Sequence, residues 1–250
     1  MALKNGLMRA VTVVTLLVLA GCAATPSEAP TAEVPAAAQA QPPATPPSED
    51  ELAAAEAEWQ ARQAEVTQVI STMDRATFIG TSPTQGTPSA EVVVVKFSDF
   101  ECPYCAVAAG HMKDFVEERG DEVLYVYKHF PLNRIHPEAE PAAKASWAAG
   151  QQDQFWLYHD GLFANQARLG EDLYGELAEQ IGLDVEQFNR DRNSDAAQAA
   201  VDADLALAEQ LKLRGTPTFL MGGLLIPPGV PPESFSQLLD NLKASQPPQE

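Results

Sequence analysis

Phe97-Ser98-Asp99-Phe100-Glu101-Cys102-Pro103-Tyr104-Cys105 is the stretch on which the reading of this chain turns. It follows the run Val92 to Val95, so a Cys-x-x-Cys pair stands where a buried strand gives way to a helix. The near-continuous apolar residues from Glu91 to Asp99 point to a central strand covered on both faces. A thiol at the start of the next helix meets unpaired N–H groups and the positive end of the helix dipole, which favour the thiolate. The thiolate is the form that attacks disulfides, so position and redox chemistry agree. A structural disulfide, or half of a zinc site, would use the same spacing. Zinc needs about four ligands, and no second Cys pair or Cys/His pair stands at suitable spacing, so no metal is expected.

The chain holds three cysteines in all, and the N-terminus accounts for the third. Lys4 and Arg9 form a short basic region before an apolar run from Ala10 to Ala20. That run is too short to span a bilayer but suits an export signal. It ends in Leu19-Ala20-Gly21-Cys22, which resembles the lipobox of bacterial lipoproteins. The resemblance implies a signal peptide over residues 1–21 and a lipidated Cys22 at the mature N-terminus. Ala23 after it lacks the aspartate associated with retention in the inner membrane, which leans toward the outer one. The expected location is therefore the cell envelope, lipid-anchored and facing the periplasm. There the two remaining cysteines meet an oxidising compartment. A structural framework would spread more cysteines through an exported chain of this size.

The net charge of −19 argues against nucleic-acid binding, since phosphate backbones would repel the chain. It also leaves the anchor to acyl chains, with no polybasic patch to assist them. Residues 22–48 are rich in Ala, Pro, Thr and Ser and read as a semi-extended tether. Ser48-Glu49-Asp50-Glu51 then reads as a capped helix start, opening a helical segment over residues 49–75. Its apolar stripe is Leu52, Trp59, Val66, Val69, Ile70 and Met73. Intervals of seven invite a coiled coil, but Ala55 and Arg62 are poor partner positions. Docking onto its own catalytic domain is the preferred use, and a monomer is expected.

Residues 76–250 have the size of one globular domain. The expected order is a short strand over Thr77 to Gly80, a turn at Gly86-Thr87-Pro88, the valine strand, a helix from Cys102 to Arg119, and a strand from Val123 to Phe130. Helical periodicity then dominates from Glu138 to Leu213, before a hairpin around Gly222-Gly223 and a closing helix from Pro232 to Leu242. The sum is an α/β, thioredoxin-like fold with an inserted helical domain at about residues 137–213.

At this point the chain resembles thiol–disulfide oxidoreductases of the DsbA type. The resemblance is carried by Phe97 to Cys105, Phe130-Pro131-Leu132, His136-Pro137 with Ala142, Ala143 and Ala145, and Phe155-Trp156 with His159. Leu162 to Gln166 and Arg214 to Phe219 complete it. It implies an enzyme that needs no cofactor beyond its own cysteines. Cys102 is the exposed nucleophile and Cys105 the buried resolving thiol. Pro217 is a cis-proline facing the pair, and Thr216 and Pro217 bind extended substrate by strand-like hydrogen bonds. The partners implied are exported protein substrates and a membrane redox partner that resets the pair.

Pro103 and Tyr104 tune the site. Pro103 fits the first helical turn, where its missing N–H costs nothing. A Pro-Tyr dipeptide lacks the histidine that strengthens oxidants, so a milder oxidant is expected. Lys96 is a second departure, standing where related chains often carry a glutamate that moves a proton from the buried thiol. The expectation is that Lys96 snorkels to solvent. Asp99 and Glu101 read as solvated acids, His111 as a surface residue, and Phe155, Trp156 and Phe163 as core. An oxidase is expected before a reductase or isomerase, for which no dimerisation domain is evident. A non-catalytic adaptor of the cell envelope is the alternative outside enzymes.

Overall fold

The computed structural model describes residues 47–227, 230 and 234–245. The signal-like segment 1–21, Cys22 and nearly all of the tether therefore lie outside the described residues.

Five strands form one mixed sheet in the order β1-β3-β2-β4-β5. The valine segment makes β2 (Val92–Ser98) at its centre, where six of its seven residues are buried. β3 (Val123–His129) runs parallel to it, with Val92 opposite Val123 and Ser98 opposite His129. β4 (Thr218–Met221) lies antiparallel on the other side of β2. The sheet ends in two short strands, β1 (Thr84–Gly86) beside β3 and β5 (Leu224–Leu225) beside β4. Burial on both faces explains why β2 and β3 lack the polar alternation of a half-exposed strand.

Helix α1 (Glu49–Ser71) starts at a capping box, in which Ser48 and Glu51 each receive the other's backbone N–H. Its C-terminal half packs Trp59, Val66, Val69 and Ile70 against Val95, Phe97, Leu220 and Leu225. Gln63 Oε1 accepts from the Leu225 amide at 3.0 Å, on the free edge of β5. Leu52 belongs to the expected stripe but is 55% exposed, because the first turns of α1 do not reach the sheet. At the opposite edge Trp156 Nε1 donates to the Thr84 carbonyl at 3.1 Å.

One local expectation is corrected. Thr77 to Gly80 is not a strand: Asp74 caps the Thr77 amide and opens a short helix, α2 (Arg75–Ile79). The neighbouring strand is β1, which ends at Gly86 with φ +86°, where a Cβ would meet the Val123 carbonyl oxygen at 2.3 Å.

Helix α3 (Pro103–Arg119) covers one face of the sheet. Between β3 and β4 stands the helical block: α4 (Ala139–Gly150), α5 (Phe155–Ala164), α6 (Glu171–Gln180), α7 (Val185–Arg192) and α8 (Asp195–Gln210). Buried Ala142, Ala145, Ala148 and Ala149 let α4 sit close to its neighbours. Phe155, Tyr158, Leu162, Leu173, Tyr174 and Phe188 fill the remaining space. Helix α9 (Ser234–Ser245) closes the other end by packing Phe235 and Leu239 beside Phe115 and Val94.

Candidate active site

The site forms where β2 ends and α3 begins. Cys102 is the N-cap of α3, in extended geometry, and Pro103 occupies the first turn. Pro103 lacks only an N–H that the helix would leave unpaired there. The Thr216–Pro217 peptide is cis, and the Thr216 carbonyl accepts from the Cys102 thiol at 3.4 Å. The chain thus brings residues 102 and 216 together across the sheet, because β4 pairs with β2 immediately after Pro217.

The two thiols sit in opposite electrostatic settings. Hydrogen bonding from the Cys105 thiol lowers Cys102 to about 5, against the cost of burial. The Thr216 hydroxyl and the amides of Tyr104 and Cys105 add to the effect. That hydroxyl is buried and, by hydrogen-bond geometry, has no partner. Cys105 is wholly buried, and burial drives its pKa far above the ordinary thiol value. Donation to Cys102 raises it further, while Lys96, Ser98 and the Asp99 amide oppose the rise. Cys102 is thus prepared to be a thiolate and Cys105 to hold its proton. Both are free cysteines in this structure. Cys102 is only 5% exposed, so the nucleophile is less open than expected. The Pro217 segment and the start of α3 close over it.

Lys96 does not reach solvent. It is fully buried, its Nζ donating to the Cys105 carbonyl at 3.1 Å. Both faces of β2 are covered, so its alkyl stem has no path outward. Burial lowers its pKa to about 8, and the two cysteines pull against that shift.

Asp99 is likewise no solvated acid. It is 1% exposed and takes a hydrogen bond from the Glu101 amide at 2.7 Å and one from the Leu132 amide at 2.9 Å. His136 Nδ1 meets its second oxygen at 2.7 Å. Burial lowers the His136 pKa, but Asp99, Glu101 and Cys102 outweigh it and the net shift is upward. Glu101 binds the Glu138 amide at 2.7 Å. Gln166 donates to the carbonyls of Phe100 and Cys102 at 2.7 and 2.9 Å. These residues tie the loop before Cys102 to the loop after β3 and to the helical block. The sequence places His136 at a helix start before Pro137 and gives Gln166 no role. Their partners lie 37 and 64–66 residues away, beyond any local pattern.

Tyr104 is 74% exposed and Val107 and Ile135 are similarly open, so an apolar surface flanks the nucleophile. His111 is exposed, whereas His129 and His159 are buried among Phe100, Tyr127 and Phe155. Phe155, Trp156 and Phe163 belong to the same core.

The Thioredoxin_4 family model, described as Thioredoxin, matches residues 77–241. The Na(+)/H(+) antiporter NhaA 1 of Mycobacterium sp. (strain KMS) is 41% identical over 142 residues, 56% of this chain and 23% of that protein. The chain therefore spans about a quarter of the length of such curated relatives. Among the described residues no helix is long and apolar enough to cross a membrane. A thioredoxin-like oxidoreductase from Silicibacter pomeroyi DSS-3 is similar in structure, with TM-score 0.63 and 28% identity over 70% of this chain and 100% of that one. The thiol–disulfide exchange protein alpha-DsbA2 from Wolbachia pipientis shares the fold, with TM-score 0.65 and 19% identity over 74% of this chain and 98% of that one. The chain belongs to the thioredoxin family, matched over residues 77–241, and has a DsbA-like fold.

Proposed function

We propose that this chain is a thiol–disulfide oxidoreductase acting as a lipid-anchored oxidase of exported proteins, held in the cell envelope through Cys22. The observation that carries the direction is the lowered pKa of Cys102, to about 5. Stabilising the thiolate stabilises the reduced pair, which makes the disulfide a readier acceptor of electrons. In the forward reaction a client thiolate attacks Cys102 Sγ and Cys105 leaves. A second client thiolate then attacks the mixed disulfide, and Cys102 departs as a stable thiolate. Thr216 and Pro217 would hold the client strand beside the sulfur, and Tyr104, Val107 and Ile135 would meet its apolar side chains. A membrane redox partner then reoxidises the pair.

The lipobox-like Leu19 to Cys22 and the Pro-rich segment after it support the anchor and tether. Ion antiport forms no part of the reading, because the shared segment is 23% of the antiporter. The Pro103-Tyr104 dipeptide supports a reductase or isomerase instead, since it resembles that of reducing relatives. Equilibration with glutathione buffers separates the two. The oxidase reading expects a potential above the glutaredoxin range of about −200 to −230 mV, and a value below that range sinks it. Cys105→Ser should also accumulate mixed disulfides with exported clients in cells, which a non-catalytic adaptor would not do.

A further inference from the structure

The loop between α8 and β4 ends at the Thr216–Pro217 peptide, and its start is held from outside the family segment. Helix α1 lies before residue 77, where the family match begins. Three of its side chains nevertheless reach this loop. Arg62 Nη2 donates to the Lys212 carbonyl at 3.1 Å. Glu65 Oε1 meets Lys212 Nζ at 3.1 Å, and Glu58 Oε1 meets Arg214 Nη1 at 3.4 Å. The two ion pairs are exposed and hold little by themselves, whereas Arg62 is half-buried.

Lys212 is the point where the chain leaves α8. Its amide donates to the Glu209 carbonyl and the Leu213 amide to the Ala208 carbonyl, each at 2.9 Å, which closes the helix around a left-handed residue. Lys212 is that residue, at φ +52°. Glycine takes this conformation freely, but a lysine keeps it only where its surroundings fix it. Those surroundings are Arg62 on its carbonyl, Glu65 on its ammonium, and Leu213 packed against the same core as Trp59 and Ile70.

Beyond Lys212 the loop has little to hold it. Among the described residues the amides of Arg214, Gly215 and Thr216 make no hydrogen bond to another backbone group. The next fixed points are the Gly215 carbonyl, which accepts from the Thr218 hydroxyl at 2.6 Å, and the Thr216 carbonyl, 3.4 Å from Cys102 Sγ. The path of residues 213–216 is therefore set by its two ends, one on β4 and one on α1.

We propose that α1 is a brace for the client-binding loop, with Arg62 as its positioning residue. The inference rests on the reading of Thr216 and Pro217 as the strand that receives the client, and adds to it an element outside the family segment. With the brace in place the Thr216 backbone is already ordered beside Cys102 when a client strand arrives. Without it the client must order the loop as it binds, so binding weakens while the chemistry at sulfur is unchanged.

The test uses the oxidised full chain and two reductants. One is an extended peptide carrying a cysteine pair; the other is dithiothreitol, which needs no strand-like contact. Reduction of the Cys102–Cys105 disulfide is followed by alkylation of quenched samples. Arg62→Met should raise the peptide concentration at half-maximal rate about fivefold, with the maximal rate and the dithiothreitol rate within about 1.5-fold of wild type. Arg62→Lys, which restores a donor, should recover most of the loss. Glu58→Gln should act in the same direction and less, because it loosens an exposed pair. Ser48→Ala, at the far end of α1, should change neither reaction. An Arg62→Met chain that matches wild type with the peptide overturns the proposal. Equal slowing with peptide and dithiothreitol also overturns it, because that marks general loosening of the fold, and so does a Lys variant as weak as Met. Should Arg62→Met not fold, the Glu58→Gln, Glu65→Gln double variant removes both ion pairs. An unchanged half-maximal concentration there overturns the proposal, and a rise of about twofold or more supports it. A wild-type chain that shows no saturation with the peptide and no preference for it over dithiothreitol would instead sink the client-binding reading itself.

Discussion

Two buried lysines sit on neighbouring strands and do opposite things. Lys96 of β2 lies opposite Tyr127, and Lys128 of β3 lies opposite Phe97, so the pleat sends them to opposite faces of the sheet. Lys128 meets a built partner: Asp204 of α8 accepts from its Nζ at 2.9 Å, and the Ile79 carbonyl accepts at 3.0 Å. Asp204 is saturated in turn by the His129 amide and the Ser82 hydroxyl. Lys96 has a carbonyl, two aromatic rings and the cysteines. A cation given an acid is a strut joining α2, β3 and α8. A cation denied one has its proton loosened by burial, to a pKa of about 8. The difference lies in what the facing helix supplies, not in the lysine.

The largest effect should come from breaking the strut. Asp204→Ala leaves the Lys128 charge buried and unpaired, at an expected cost of about 3–5 kcal/mol in urea unfolding. The Lys128→Met, Asp204→Leu double variant should recover much of that, since buried pairs often break even against apolar replacements. A fall well under that range would erase the contrast between the two lysines.

Next in size is the pH dependence of stability at Lys96. Its folded pKa of about 8 lies below the ordinary 10.5, so the folded state releases its proton first as pH rises. Between these values the unfolded chain binds more protons, and stability due to this group therefore increases with pH. Relative to Lys96→Met, the wild type should gain about 3 kcal/mol from pH 8 to 10.5. Urea unfolding of both proteins at the two ends of that window checks the sign, and a loss with rising pH would refute it.

The thiols give smaller shifts. Thiolate absorbance of the reduced chain should titrate near pH 5 for Cys102, against an ordinary 9.0. Cys105→Ala removes the leading donor and should move the midpoint up by about one unit or more. Thr216→Val should move it less, because it removes a lesser donor. The smallest change sets a baseline remote from both lysines: Ser48→Ala removes the α1 capping box for about 1 kcal/mol. It should leave the thiolate titration unmoved.

What could be read from the sequence was whatever repeats locally. Four consecutive valines imply a strand buried on both faces, and Cys102 just beyond it implies a helix N-terminus. Ser48 with Glu51 marks the start of α1 for the same reason. The misreadings at the site involve partners remote in the chain. Lys96 was expected to reach water because a lone lysine usually does, but α3, α5 and β3 together close its exit. Asp99 was expected in solvent, yet His136 and the Leu132 amide arrive from a loop more than 30 residues on. The segment from Thr77 to Gly80 has β-branched and aromatic residues suited to a strand. The Asp74 cap outweighs that preference over so short a stretch.

The two outer strands of the sheet carry a last consequence. Exposed sheet edges are templates on which a second chain can add itself. Here Gln63 of α1 occupies the amide of Leu225 on one edge, and Trp156 of α5 occupies the carbonyl of Thr84 on the other. A client of the proposed oxidase would arrive as an extended, sticky strand. Stoppering both rims leaves the Thr216 segment beside Cys102 for strand addition, so that such a client would enter as a reactant rather than as the seed of an aggregate.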